Sequence, residues 1–131
     1  MDAASEDRAA GDRERAARDW LTARGGHELP RFPWLASGQP HDAGTLIRHT
    51  LWRANTRHGE LDVPADLRAA LTLLAAARSE LDQLEAGLLF AARAEGLTWV
   101  QIAEALGLRT AQAAQQRHDR VVARLVEDAG S

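Results

Sequence analysis

Apolar residues recur every three or four positions along most of this chain, with polar residues between them, and that spacing predicts helices almost throughout. The longest run lies between Pro64 and Glu95, where Leu67, Ala70, Leu74, Ala77, Leu81, Leu84, Leu88 and Ala91 keep a strict three-four spacing. Such a heptad seam predicts one long helix of about 30 residues, or two in line. A bend is expected near Arg78 to Asp82, because Ser79-Glu80-Leu81-Asp82 is a weak capping box. Upstream, RERAARDWLTA (13–23) predicts a short helix closed by Gly25-Gly26, with Trp20 and Leu21 as its buried face. Residues 1–12 are expected to fray. A further helix is expected after Thr45, through Leu46, Ile47, Leu51 and Ala54 to His58, closed by Gly59. Pro64 then suits the first turn of the next helix.

Residues 27–44 hold three of the four prolines and cannot be regular. Phe32, Trp34 and Leu35 read either as anchors that dock this loop on the helical body or as a docking motif for a partner.

After Gly96 the pattern changes scale. Thr98 is a good N-cap, and Gln101 three residues later completes a capping box. Val100, Ile102, Ala103 and Leu106 supply the apolar contacts of a helix about eight residues long, and Gly107 permits the left-handed turn that ends it. Leu108 is placed to plug the core, and Thr110 caps a longer helix through Ala114, Val121 and Leu125. A short helix, a tight glycine turn and a longer helix make a helix-turn-helix over 98–125. The expected fold is therefore all-α, with a long central helix and a C-terminal helix-turn-helix. An arm with a Pro-rich loop occupies 1–45, the helical domain 46–126 and a tail 127–131.

Composition supports this reading. Alanine, leucine and arginine dominate the chain, and all are strong helix formers. No cysteine is present, which excludes disulfides and thiolate metal sites, and the five histidines are too scattered to suggest zinc. Phosphate-binding, dinucleotide-binding and nucleophile-elbow motifs are all missing, so neither enzymatic chemistry nor a cofactor is expected. No apolar run approaches bilayer length and the start lacks a signal-peptide pattern, so a cytoplasmic protein is expected.

The net charge of −3 opposes strong non-specific nucleic-acid binding, but the charge is uneven. Between Leu97 and Val126 four arginines face two acids, which makes the helix-turn-helix the basic segment.

The wording of that segment, GLTWVQIAEALGLRTAQAAQQRHDRV, resembles the C-terminal helix-turn-helix of small actinobacterial DNA-binding proteins, some nucleoid-associated and others transcriptional regulators. The resemblance extends upstream to about residue 64. Ile102-Ala103, Leu106-Gly107 and Arg117 are also similar to the DNA-reading part of sigma factors. The chain departs from the pattern at Ala111, where an arginine is usual, at His118, where an aromatic is usual, and at the acidic Asp119.

The resemblance implies double-stranded DNA as partner, at the nucleoid, with the last helix in the major groove. A helical-wheel count then assigns Gln112, Gln115 and Gln116 as base readers, since glutamine can pair two-fold with adenine. Arg109, Arg120 and Arg124 are assigned to phosphates, and Thr98 with the first amides of its helix to another phosphate. Arg117 lies between the inward and outward arcs and either joins them or pairs with Glu104 or Glu95. The Leu67–Ala91 seam either packs within the chain or joins two copies. The alternative function is a protein-interaction adaptor that keeps the helix-turn-helix as a scaffold.

Overall fold

The computed structural model describes residues 2–56 and 62–130. It contains α1 (Ala3–Ala23), one 3-10 turn (Gly26–Glu28), α2 (Ala43–Thr56), α3 (Val63–Thr72), α4 (Leu74–Ala94), α5 (Trp99–Leu106) and α6 (Ala111–Gly130). The protein is all-α, with no strand among the described residues. The chain divides into two compact units, residues 1–78 and 79–131, with the boundary inside α4. No described helix is long and apolar enough to cross a membrane.

In the first unit, the start that was expected to fray is the first half of α1. Asp2 caps it, its carboxylate accepting the Ser5 N–H at 2.7 Å, and the alanine-rich sequence that follows favours helix. Ala17 and Leu21 of α1 are buried with Ala43 and Leu46 of α2, Ala70 of α3, and Leu73. Residues 1–45 thus contribute a full helix to the same core as α2 and α3. Trp20, expected inside with Leu21, is 41% exposed.

The indole N–H of Trp20 donates to Asp66 at 2.8 Å. Asp66 is itself only 3% exposed, and also accepts from Arg24 at 3.0 Å and Arg53 at 3.4 Å. A carboxylate this deep requires such partners. Their source on α1, α2 and α3 ties the three helices together.

Helix α2 starts at Ala43, earlier than expected, because Asp42 rather than Thr45 supplies the cap. The Asp42 carboxylate accepts the N–H of Thr45 at 3.0 Å and its hydroxyl at 2.8 Å. The expected end at His58-Gly59 lies outside the described residues, as does Ser131 of the tail. In the loop before α2, Trp34 is exposed and stacks on Phe32 at 4.8 Å, and Phe32 meets His41 edge-on at 5.9 Å. Arg31 donates to the carbonyls of Ala36 and Gln39. The loop is held largely by its own side chains.

The long helix breaks at Leu73, not near Arg78 to Asp82. There ψ is −3°, far from the helical value near −42°, and the Leu73 N–H is shared between the carbonyls of Ala69 and Ala70. Leu73 lies off the heptad seam yet is completely buried, whereas the seam residue Leu74 is only half-buried. Burying Leu73 in the first core explains the irregularity, because a straight seam would leave it on the flank.

In the second unit, Leu89 of α4, Ile102 and Ala103 of α5 and Ala114 of α6 form the core, with Ala92, Trp99, Leu106 and Leu108 packed around it. Gly96, at φ 92°, ends α4: its N–H bonds to Arg93 and the Leu97 N–H reaches back to Ala92. This paired closure satisfies the last carbonyls of the helix.

Candidate nucleic-acid interface

Helix α5 begins and ends as its sequence dictates. The Thr98 hydroxyl accepts the Gln101 N–H at 3.1 Å, and the Gln101 side chain accepts the Thr98 N–H at 2.8 Å. Together they satisfy two of the free amides at the helix start. At the other end Gly107 takes φ 72°, and the Leu108 N–H bonds to Ala103 at 2.8 Å. This closure turns Leu108 into the core beside Leu106. Thr110 then opens α6 by accepting the Ala113 N–H at 3.0 Å. Val100, expected in the core, is exposed instead, since Ile102 and Ala103 already fill the contact with α4 and α6.

The inward face of α6 is set by Ala114 and Val121, both fully buried, with Leu125 half-buried. The opposite arc is exposed and carries Gln112, Gln115, Gln116 and Arg120, with Arg109 just before the helix. Thr98 and Thr110 are also exposed, although their hydroxyls are engaged as helix caps. Asp119 lies in the same outward arc as the glutamines.

The four arginines fall into two pairs. Arg117 faces α4, where its guanidinium donates to Glu85 at 2.7 Å, so its partner is neither Glu104 nor Glu95. Arg124 makes a two-pronged contact with Asp82 of α4, both distances 3.1 Å. The hydrogen bonds to Glu85 and Asp82 raise both arginines' pKa values, and the Arg124 contact lowers that of Asp82. Ser79 and Asp128 extend this row of contacts, with the Ser79 hydroxyl 3.2 Å from the Asp128 carboxylate. Arg109 and Arg120, by contrast, make no ion pair or hydrogen bond among the described residues.

The sequence points to nine candidate DNA-contacting residues: Thr98, Arg109, Thr110, Gln112, Gln115, Gln116, Arg117, Arg120 and Arg124. The structure gathers Arg109, Gln112, Gln115, Gln116 and Arg120 along the exposed start and outer arc of α6. It turns Arg117 and Arg124 onto α4. Sequence reasoning missed Glu85 and Asp82 as the groups that hold those arginines. The signal available was two acids three residues apart on the helix before the turn, but their meeting with α6 depends on an antiparallel alignment that spacing alone does not give.

Trp99 packs against this core, with the Arg93 guanidinium 5.2 Å from the centre of its ring. The half-buried His118 ring lies 5.8 Å from that of Trp99, centre to centre. Among the described residues no group of histidines, aspartates and glutamates is arranged to hold a metal ion. Compared with known proteins, the chain matches no family model, no curated protein and no solved structure.

Proposed function

We propose that this protein binds double-stranded DNA by laying the outer arc of α6 in the major groove, as a transcriptional regulator or small nucleoid-associated protein. The observation that carries the reading is the coincidence of three exposed glutamines with the two unpaired arginines on one face of the helix that follows a tight glycine turn. Gln112, Gln115 and Gln116 reach base edges, where a glutamine amide matches the donor and acceptor of adenine. Arg109 and Arg120 take phosphates and set the register. The start of α5 at Thr98 offers amides to a further phosphate. Arg117 and Arg124 keep α6 against α4 and do not touch DNA.

This division gives a quantitative expectation. Two phosphate-neutralising arginines predict that log K falls against log salt with a slope of about −2, whereas four predict about −4. Fluorescence anisotropy of the full chain on mixed genomic duplexes at several salt concentrations measures the slope. The same titration with Arg109→Ala/Gln112→Ala/Arg120→Ala is expected to show no binding. Absence of binding by the native protein at low salt, or equal binding by the variant, overturns the proposal.

A second reading, a protein-interaction adaptor, draws on two observations. Half of the basic residues in the segment are neutralised by α4, and Asp119 sits within the outward arc. It predicts no salt-sensitive DNA binding at all.

A further inference from the structure

The middle of the outward arc of α6 carries an acid. Successive residues of a helix turn by about 100°, so Gln112, Gln116 and Asp119 share one stripe opposite the buried Ala114 and Val121. Gln115 lies on one flank of that stripe and Arg120 on the other, and all of these polar side chains are exposed. Asp82 and Glu85 of α4 are engaged by arginines. Asp119 makes no ion pair or hydrogen bond among the described residues, although Arg120 is its neighbour in the chain. Its carboxylate has no part in holding the fold.

An ionised carboxylate accepts hydrogen bonds and donates none. A phosphate repels it and offers it no donor. Among base edges in the major groove the choice is narrow, because only the amino groups of cytosine and adenine donate there. Adenine sets an acceptor, N7, beside its amino group, which suits a glutamine amide and opposes a carboxylate. Cytosine presents its amino group alone. Guanine and thymine present acceptors. The spacing allows such a contact. At a rise of about 1.5 Å per residue, Gln112 and Asp119 lie roughly 10 Å apart along α6, or about three base-pair steps, and Asp119 lies little more than one step past Gln116.

Resting on the DNA reading above, we propose that Asp119 is a specificity-determining residue, its carboxylate accepting from the amino group of a cytosine roughly one base pair beyond the adenine read by Gln116. The acid works chiefly by rejection. Any other base at that position leaves a desolvated carboxylate without a donor, or facing an acceptor, and the site is then disfavoured however well the glutamines fit. A site of this kind combines adenines opposite the glutamines with one cytosine opposite Asp119. Arg109 and Arg120 hold the protein on the duplex without contributing to that choice.

Selection of bound sequences from a random duplex library tests this, with the full native chain, Asp119→Asn and Asp119→Ala run side by side. Anisotropy then measures each protein on the selected duplex and on versions carrying the other three pairs at the assigned position. Both variants are expected to keep the native circular dichroism spectrum, since Asp119 is exposed and unbonded. The native protein is expected to enrich a cytosine next to adenine, and to lose roughly tenfold in affinity when that cytosine alone is replaced. Asp119→Asn is expected to turn this one position to adenine, which an asparagine amide matches, and to leave the others unchanged. Asp119→Ala is expected to bind all four duplexes alike. The proposal is overturned, with the DNA reading intact, if the native protein binds but all three proteins select the same bases. It is equally overturned if Asp119→Ala tightens binding to every duplex by one common factor, which marks Asp119 as a repeller of phosphates. A native protein that binds no duplex at low salt overturns both.

Discussion

Replacing Asp66 by alanine is expected to be the most damaging single change in the first unit. The carboxylate is 3% exposed and receives three side chains: the Trp20 indole at 2.8 Å, Arg24 at 3.0 Å and Arg53 at 3.4 Å. Without it, two guanidiniums and an indole N–H lose their acceptor at once. Breaking a buried ion pair by removing one partner costs about 3–5 kcal/mol. Two features place this case at the lower end. Arg24 is 28% exposed, so water solvates it in part, and Asp62 lies 4.0 Å away as a substitute. Arg53 is 13% exposed and regains less. Alanine also favours helix over aspartate by a few tenths of a kcal/mol, a small offset. The expected loss is therefore about 3 kcal/mol, which corresponds to a fall in Tm of at least about 12 °C for a unit of this size. Asp66→Asn retains an acceptor for the indole but not the charge, and is expected to fall between the two. Urea unfolding followed by circular dichroism measures the effect, with the midpoint moving at unchanged slope. A loss below about 1 kcal/mol for Asp66→Ala refutes the idea that this carboxylate ties α1, α2 and α3 together.

Two further outcomes follow from local geometry. A Cβ on Gly26 would meet Leu46 Cδ2 at 2.8 Å and the Leu21 carbonyl oxygen at 3.0 Å, so Gly26→Ala is expected to cost about 2 kcal/mol, whereas Gly11→Ala, in open mid-helix, is expected to stabilise by somewhat under 1 kcal/mol in the same urea titration. Burial pushes the Asp42 pKa up, but hydrogen bonds from the Thr45 hydroxyl and N–H outweigh it and leave it below the ordinary 3.8. A lowered carboxylate pKa contributes stability that is fully present above 3.8 and is lost as pH falls through the lowered value. The Tm difference between the native protein and Asp42→Asn is therefore expected to be largest above about pH 5 and to shrink towards pH 3; a difference constant over that range contradicts the assigned role.

Much of the molecule is legible in its sequence because it depends on local rules. The Thr98–Gln101 capping box, the left-handed Gly107, the inward Leu108 and the Thr110 cap each involve residues no more than five apart, and each stands in the structure as the sequence predicts. The inward positions Ala114 and Val121 follow from helical period alone. Where the reading failed, a distant contact had overridden a local tendency. The continuous seam yields at Leu73 to a core made with α1 and α2, and Trp20 turns outward to serve a carboxylate 46 positions away; the exception is the helical start at residues 3–12, which a local cap, Asp2, explains.

The candidate interface divides in the same way. Sequence determined which residues could face outward on α6, because that depends only on the angle between successive side chains. Tertiary structure decided which arginines are free: the antiparallel meeting of α4 and α6 puts Glu85 against Arg117 and Asp82 against Arg124 and leaves Arg109 and Arg120 exposed. Charge counting along the chain cannot distinguish the two pairs, since a carboxylate neutralises the guanidinium nearest in space and not the one nearest in sequence.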